Sequence, residues 1–146
     1  MIKLKTFGSF TVGNGLTSVQ EGAWRSEKLE KLFVYLAMNR NRGVCIEDIS
    51  EAIWQVEEET DNPVGALKNL AYRLRKALRD ASFGEECIVS VRGGLYKWND
   101  DVEVTIDVEE FDRYINEAEM AFCRSKETAI ESYEKAIALY HGDFQI

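Results

Sequence analysis

Residues 62–81 bring together cationic, amide and aromatic side chains that could recognise nucleic acid. On a helix, the apolar residues of this segment form one stripe: Leu67, Leu70, Ala71, Leu74, Leu78 and Ala81. The opposite face and its flanks carry Lys68, Asn69, Tyr72, Arg73, Arg75, Lys76 and Arg79. Arginine or lysine can donate to guanine edges, asparagine can pair with adenine, and flanking cations can neutralise phosphates. The pattern predicts a helix in the major groove of DNA, with an ordinary solvated helix surface as the alternative.

These cations lie in an acidic chain of 146 residues. Lysine and arginine number 18 against 26 aspartates and glutamates, for a net charge of -8. Residues 1–107 hold 14 basic and 17 acidic side chains, whereas residues 108–146 hold 4 and 9. Affinity for a polyanion must therefore come from a local patch, and the last quarter of the chain would repel phosphate. This asymmetry indicates two functional units.

The remaining composition argues against an enzyme, a metal site or a cofactor. Cys45, Cys87 and Cys123 form no C-x-x-C pair, and His141 is the single histidine, so zinc-ligand spacing is missing. No nucleophile with a base and no phosphate-cradling loop is present. Cys45 could sense oxidants near a helix N-terminus, but without a neighbouring cation or a resolving cysteine the alternative is an inert thiol. Without a long apolar run, the protein is expected to be soluble and cytoplasmic.

Periodicity predicts the elements that precede the cationic helix. Apolar residues alternate on both sides of an Asn-Gly pair at 14–15, which predicts short antiparallel strands joined by a turn. Helical spacing begins after Ser26, a plausible N-cap, and ends at residues 39–43. The apolar face of this first helix is expected to comprise Leu29, Leu32, Phe33, Leu36 and Ala37. A small sheet and one helix therefore come first.

Two further helices follow. The second is predicted from about Ile46 to Trp54, with Cys45 as a poor cap. Asn62 can cap the third helix, the cationic one, and Pro63 suits its first position because proline lacks an N–H that would be orphaned there. Three helices in this order are typical of a helix-turn-helix unit.

A hairpin is predicted after the third helix. Residues 88–98 form two apolar runs around Gly93 and Gly94, the type of turn that hairpins require. Arg92 lies beside the tip and could enter the minor groove, whose narrow stretches attract arginine; a surface cation at a turn is the alternative. The hairpin would form the wing of a winged helix-turn-helix.

The end of the chain predicts an antiparallel helical hairpin. Residues 99–106 are interpreted as a linker, and Asp107 starts a capping box with Glu110. The fifth helix spans about 126–140, with Gly142 as its C-cap. The apolar faces are Val108, Phe111, Ile115, Ala118 and Phe122 in the fourth helix, and Ala129, Ile130, Tyr133, Ala136, Ile137 and Tyr140 in the fifth. Two helices cannot bury both faces alone, so they must dock on the first unit, a partner or further helices.

Several segments resemble one family of regulators. Residues 73–78, RLRKAL, and residues 91–98, VRGGLYKW, resemble the recognition helix and wing of OmpR/PhoB-type winged-helix domains. Residues 49–54 resemble the end of that family's second helix. Residues 107–111 and 136–144 are similar to the start of a bacterial transcriptional activator domain, which is a tetratricopeptide-like array. Almost the entire chain is thus similar to SARP-type activators.

The resemblance implies roles for individual residues. Major-groove or minor-groove contacts are implied for Lys68, Asn69, Tyr72, Arg73, Lys76 and Arg92. Phosphate contacts are implied for Trp54, Arg75 and Tyr96, with packing in the core as the alternative for Trp54 and packing under the wing for Tyr96. Cys45 replaces the family's usual serine or threonine cap, and Gly65 stands near a position often held by a phosphate-binding cation. Affinity for the DNA backbone is therefore expected to be modest.

The expected fold class is α+β, a winged helix-turn-helix with an N-terminal β-sheet and a hairpin wing, followed by an antiparallel helical hairpin. Residues 1–106 would be the DNA-binding domain, and residues 107–146 the first part of an activator domain that continues in a longer activator, unless this is a naturally short form. Expected partners are promoter DNA, RNA polymerase through residues 55–61, and a second copy bound head to tail on direct repeats.

Two alternatives stay open. Residues 55–61 could instead be an acidic stretch that favours the dipole of the following helix. The whole chain could be a protein-interaction module, in which the acidic hairpin binds partners and the winged helix has little affinity for DNA. The response to salt distinguishes this module from a DNA-binding protein, because each neutralised phosphate steepens the salt dependence of binding.

Overall fold

The computed structural model describes residues 1–54, 62–81, 83, 87–91, 94–122, 124–142 and 144. The strands are β1 (Ile2–Lys5), β2 (Thr11–Gly13), β3 (Ser18–Gln20), β4 (Ile88–Val91), β5 (Leu95–Trp98) and β6 (Val104–Ile106). The helices are α1 (Glu27–Met38), α2 (Ile46–Ile53), α3 (Pro63–Asp80), α4 (Asp107–Phe122) and α5 (Lys126–Leu139). Within the described residues, no helix has the length and apolar character needed to cross a membrane. The predicted α+β class is confirmed.

The N-terminal sheet has the strand order β3-β2-β1-β6. The first three strands are antiparallel, as predicted, and Asn14 closes the turn between β2 and β3. Its Oδ1 accepts hydrogen bonds from the N–H groups of Leu16 and Thr17, both at 2.9 Å, and Gly15 has a φ of 91°. Only glycine adopts that backbone conformation without steric cost, so this position requires it.

The fourth strand of this sheet corrects the prediction of a linker at residues 99–106. Strand β6 pairs in parallel with β1, with Ile2 opposite Val104 and Leu4 opposite Ile106. Three residues are too few for a recognisable alternating pattern, and their partner lies about a hundred residues earlier in the chain. The C-terminal helices therefore begin directly from the sheet.

Helices α1, α2 and α3 pack together beside the sheet to form the core. Ser26 caps α1, since its Oγ accepts from the N–H of Leu29 at 3.3 Å. The predicted apolar face of α1 is buried. Phe33 contacts Phe10 and Trp98 through edge-on ring packing, with centroids 6.4 and 5.3 Å apart. Aromatic contacts of this kind hold α1 between the sheet and the wing.

Glu30 is a buried carboxylate on α1 whose ionisation should affect stability. It is 6% exposed, and its Oε1 accepts from the N–H of Gly22 at 3.0 Å. Burial raises the pKa of Glu30; the Gly22 bond opposes this, and repulsion by Glu21 and Glu27 adds to it. A folded state that holds this proton more tightly than the unfolded state loses stability as pH rises above about 4.5.

We expect Glu30→Gln to remove that loss of stability, because glutamine keeps the accepting oxygen without the charge. Urea denaturation at several pH values should give a difference in unfolding free energy, variant minus parent, that grows as the pH rises above about 4.5. Glu119→Gln on α4 is the control, because Glu119 is exposed and is not among the charges that shift the pKa of Glu30. A constant difference across this range would show that Glu30 does not titrate differently in the folded protein.

Cys45 occupies the N-cap position of α2 and makes no side-chain cap bond, as predicted. Serine is a preferred N-cap residue, because its oxygen accepts from an otherwise unpaired N–H of the first turn. We expect Cys45→Ser to raise the unfolding free energy by about 0.5–1 kcal/mol, measured by urea denaturation. Cys45→Ala is the matched control, which removes the thiol without adding a cap. Equal stability of the two variants would contradict the capping argument.

The two C-terminal helices form the predicted antiparallel hairpin, but their contact uses small residues. Ala118 of α4 is buried, as are Ala129, Ser132 and Ala136 of α5. The prediction for the larger residues of α5 was wrong: Ile130 is 54% exposed and Ile137 is 69% exposed. Among the described residues of the hairpin and the segment after it, the exposed large apolar side chains are Met120, Phe122, Ile130, Ile137, Tyr140 and Phe144, so the prediction that Phe122 belongs to a buried face of α4 is also wrong. The helical spacing of apolar residues predicted one stripe on α5. The backbones of α4 and α5 approach each other at alanine and serine residues, so these small residues are buried and the isoleucines of α5 stay exposed.

The prediction of a capping box between Asp107 and Glu110 is also wrong. Asp107 is 8% exposed, and its carboxylate accepts from the N–H groups of Thr6, Phe7 and Val108 and from the hydroxyl of Thr6, at 2.8–3.0 Å. Four donors already use both oxygens. Asp107 thus fixes the start of α4 to the end of β1.

Two further contacts join the helical hairpin to the rest of the protein. Arg40 forms a two-point ion pair with Glu109 of α4, with Nη2 to Oε1 at 2.6 Å and Nη1 to Oε2 at 2.8 Å. The ring of Phe7 contacts Phe111 and Tyr140, with centroids 5.5 and 5.3 Å apart. The hairpin therefore docks on the first unit, one of the three possibilities that the sequence left open.

Gly142 does not cap α5, which ends at Leu139 with Tyr140 as its C-cap. Its φ is 140°, and a Cβ placed on it would lie 2.8 Å from the Cα of Gly8. Phe7 and Phe144 form an isolated antiparallel bridge at the same place. Glycine is needed at position 142 because two backbones cross closely there.

Candidate nucleic-acid interface

Helix α3 is fixed to the core by the stripe that the sequence predicted. Leu67, Leu70, Ala71, Leu74 and Leu78 are all buried. At the start of the helix, Asn62 accepts from the N–H of Gly65 at 3.0 Å, and Pro63 is the first residue, so both cap predictions are confirmed. Packing of this stripe therefore determines which side of α3 faces outward, and the cap determines where the helix begins.

The outward face of α3 presents most of the polar residues that the sequence singled out. Six of them are exposed: Lys68, Asn69, Tyr72, Arg73, Lys76 and Arg79. Within the described part of the chain, none of the four cations in this set forms an ion pair. Asp80, the last residue of α3, is also exposed, so a carboxylate follows the cations at the end of this helix. Unpaired cations on one helix face are available to bind an anionic ligand.

Arg75 differs from the other cations of α3. Its side chain is half-buried, and its Nε donates to the carbonyl oxygen of Ile88 at 3.4 Å. This contact links α3 to the first strand of the wing. The implied phosphate contact of Arg75 stays a prediction.

Strands β4 and β5 form the predicted wing hairpin beside α3. They pair in register from Ile88 opposite Trp98 to Val91 opposite Leu95. Val44 and Tyr96 exchange two backbone hydrogen bonds, at 2.7 and 3.0 Å, which attach the wing to the segment before α2. Gly94 in the turn has a φ of 76°. Arg92, predicted to enter the minor groove, lies outside the described residues.

The structure places the other predicted contact residues closer to the core. Trp54 is the C-cap of α2, half-buried against the core cluster. Tyr96 is only 7% exposed, in accord with its alternative as a packing residue under the wing. Residues 55–61, the predicted polymerase loop, lie outside the described residues. The structure therefore brings six of the ten predicted residues together as one exposed face.

Thr17 positions the end of α3 and was missed by sequence reasoning. Its Oγ1 donates to the carbonyl oxygen of Ala81 at 2.9 Å. The partners are 64 residues apart, and a threonine in a turn has no pattern that would indicate such a contact. The tip of the β2–β3 hairpin thus satisfies a carbonyl at the C-terminus of the cationic helix.

Comparison with known proteins agrees with this geometry. Residues 21–98, more than half of the chain, match the family described as transcriptional regulatory protein, C terminal. No curated protein matches the sequence significantly. A structure of Mycobacterium tuberculosis EmbR in complex with a low-affinity phosphopeptide superposes with a TM-score of 0.74 at 20% identity. The match covers 97% of this chain and 36% of that chain, so this chain spans little more than a third of its length.

The family match and the structural match cover different parts of the chain. The family match includes α1, α2, α3 and the wing, and this family consists of transcription regulators and not of enzymes. The structural match extends the shared fold through the C-terminal helices. The predicted resemblance to OmpR/PhoB-type winged-helix domains is thereby confirmed, and the whole chain shares its fold with part of EmbR. The chain belongs to the family of C-terminal domains of transcriptional regulatory proteins, the OmpR/PhoB-type winged-helix DNA-binding domains.

Proposed function

We propose that this protein is a transcriptional activator that binds promoter DNA in a sequence-specific manner. In this proposal α3 lies in the major groove, with Arg73 and Lys76 directed at base edges. Arg92 of the wing enters the adjacent minor groove, and Arg75 contacts phosphate. The proposal treats residues 1–106 as the DNA-binding domain and residues 107–146 as the beginning of an activator domain.

The observation that carries the proposal is the exposed cationic face of α3, whose four cations form no ion pair with any described residue, in a protein of net charge -8. Cations in an acidic protein could have been paired with neighbouring carboxylates. Lys68, Arg73, Lys76 and Arg79 are instead exposed on one helix whose opposite side is buried. Such a surface suits a rigid polyanion better than a small ligand, because the charges extend over three helical turns.

Activation would require a contact with RNA polymerase as well as with DNA. We assign that contact to residues 55–61, which join α2 to α3 and include four carboxylates. Head-to-tail binding of two copies on direct repeats completes the proposal. Sedimentation of the complex on a two-site duplex tests this part: two bound copies are expected, and a complex that never exceeds one copy contradicts it.

The second candidate is a protein-interaction module with little DNA affinity. The exposed apolar residues of the helical hairpin, such as Ile130 and Ile137, favour it. Both functions can occur in one protein, since the hairpin and α3 are separate surfaces. The response to salt decides whether DNA binding is present, because each neutralised phosphate adds about 0.9 to the slope of log affinity against log salt.

Selection of bound sequences from a random DNA pool tests the proposed function. We expect a recovered motif, and we expect affinity for it to fall steeply as salt increases. Enrichment of two motif copies at one spacing would define direct repeats. If no motif is enriched, sequence-specific DNA binding is excluded. If affinity also does not change with salt, the interaction module remains.

A further inference from the structure

Tyr72 places a large aromatic ring among the cations on the exposed face of α3. Tyr72 is 60% exposed. An exposed ring gains none of the stabilisation that burial of apolar surface provides. Asn69 and Arg73, its neighbours on this face, are exposed as well. Within the described part of the chain, no hydrogen bond, ion pair or ring contact holds the three side chains. The three side chains are therefore available to bind a ligand. An aromatic ring is not needed to bind phosphate.

The spacing of these residues matches the spacing of base pairs. With a rise of about 1.5 Å per residue, Tyr72 lies about 4.5 Å and Lys76 about 10.5 Å along the axis from Asn69. Base pairs are stacked about 3.4 Å apart, so these distances correspond to roughly one and three steps. At about 100° per residue, Asn69 and Lys76 share the centre of the face, with Tyr72 and Arg73 on opposite sides of it.

We propose that Asn69 and Tyr72 select an adenine and a nearby thymine in the DNA site. The proposal rests on the DNA-binding function proposed above. Asn69 donates from Nδ2 to adenine N7 and accepts at Oδ1 from the N6 amino group. The ring of Tyr72 covers the 5-methyl group of a thymine within about two base pairs of that adenine. The exposed ring thus gains in the complex the burial that it lacks in the free protein.

Single-atom changes in the DNA test the thymine contact. In the duplex recovered by selection, each thymine is replaced in turn by uracil, which removes only the methyl group. The parent protein is expected to lose affinity about fourfold at one position, the effect of one buried methyl group. Tyr72→Phe keeps the ring and should show the same loss. Tyr72→Ala should bind the thymine and uracil duplexes equally.

The adenine contact is tested in the same way with 7-deazaadenine, which lacks the N7 acceptor. The parent is expected to lose affinity about fivefold or more at one position, whereas Asn69→Ala should not respond. Thermal melting followed by circular dichroism verifies that each variant folds like the parent.

The outcomes separate this inference from the proposed function. Equal binding of thymine and uracil duplexes by the parent overturns the thymine assignment, as does a uracil penalty that persists in Tyr72→Ala. A 7-deazaadenine penalty that persists in Asn69→Ala overturns the adenine assignment. A parent protein that enriches no motif from the pool refutes the proposed function itself, and this inference with it.

Discussion

Replacing Arg73 with alanine is expected to weaken binding to the selected duplex by about 1–3 kcal/mol, or roughly 5- to 150-fold. Arg73 is exposed on the outward face of α3 and forms no ion pair within the described residues. Its guanidinium is therefore free to donate two hydrogen bonds to guanine O6 and N7. The loss should be concentrated at one base position, so single-base substitutions of the duplex should no longer be discriminated there. Fluorescence anisotropy at fixed salt measures both effects.

Arg124→Ala is the matched control for Arg73→Ala. Both are exposed arginines, and both changes alter the net charge by the same amount. Arg124 lies between α4 and α5 and is not part of α3, so its removal should have little effect on affinity. If the two variants lose affinity equally, long-range charge and not a base contact explains the loss. If Arg73→Ala binds like the parent, α3 does not read the groove as proposed.

A phosphate contact should behave differently from a base contact. Arg75→Ala is expected to lower affinity for all duplexes similarly and to reduce the salt slope by about one. Because Arg75 also donates to the Ile88 carbonyl, its variant must be compared at equal folded fraction. If the salt slope of Arg75→Ala is the same as that of the parent, Arg75 makes no phosphate contact and only holds the wing.

Replacing Asp107 with alanine is expected to produce the largest loss of stability, about 3–4 kcal/mol. The carboxylate accepts from three backbone N–H groups and from the Thr6 hydroxyl in a buried position. Each buried donor that is left without a partner costs about 1–3 kcal/mol, and water that enters the gap recovers part of the total. Urea denaturation followed by circular dichroism measures the change in unfolding free energy.

Two variants make the Asp107 experiment specific. Asp112→Ala removes an exposed carboxylate of the same helix and should change stability by no more than about 0.5 kcal/mol. Asp107→Asn keeps one accepting oxygen but turns an amide NH2 group toward a donor. We therefore expect a loss of stability between the losses of Asp107→Ala and Asp112→Ala. Equal stability of Asp107→Ala and Asp112→Ala would show that the bonds to Thr6 and Phe7 do not hold the hairpin in place.

The helices of the winged unit were predictable because each follows a local rule. The leucine stripe of α3 repeats at helical spacing, and Asn62 and Pro63 mark its start. Ser26 indicates the start of α1 in the same way. The cationic face then follows from geometry, since a helix with one buried side must expose the other. Lys68, Asn69, Tyr72, Arg73, Lys76 and Arg79 were identified on this ground.

What the sequence by itself determined is therefore the set of local elements and the exposed face of α3, because periodicity and capping act between residues close along the chain. Only the tertiary structure decided how those elements are joined. Strand β6 pairs in parallel with β1, Asp107 accepts hydrogen bonds from Thr6 and Phe7, and Thr17 donates one to Ala81. These contacts connect residues 64 to about 100 positions apart. The exposed isoleucines of α5 have the same cause, since close approach of small residues across the hairpin selects which side is buried. Contacts between distant residues depend on packing in three dimensions, and a single sequence has no local pattern that encodes them.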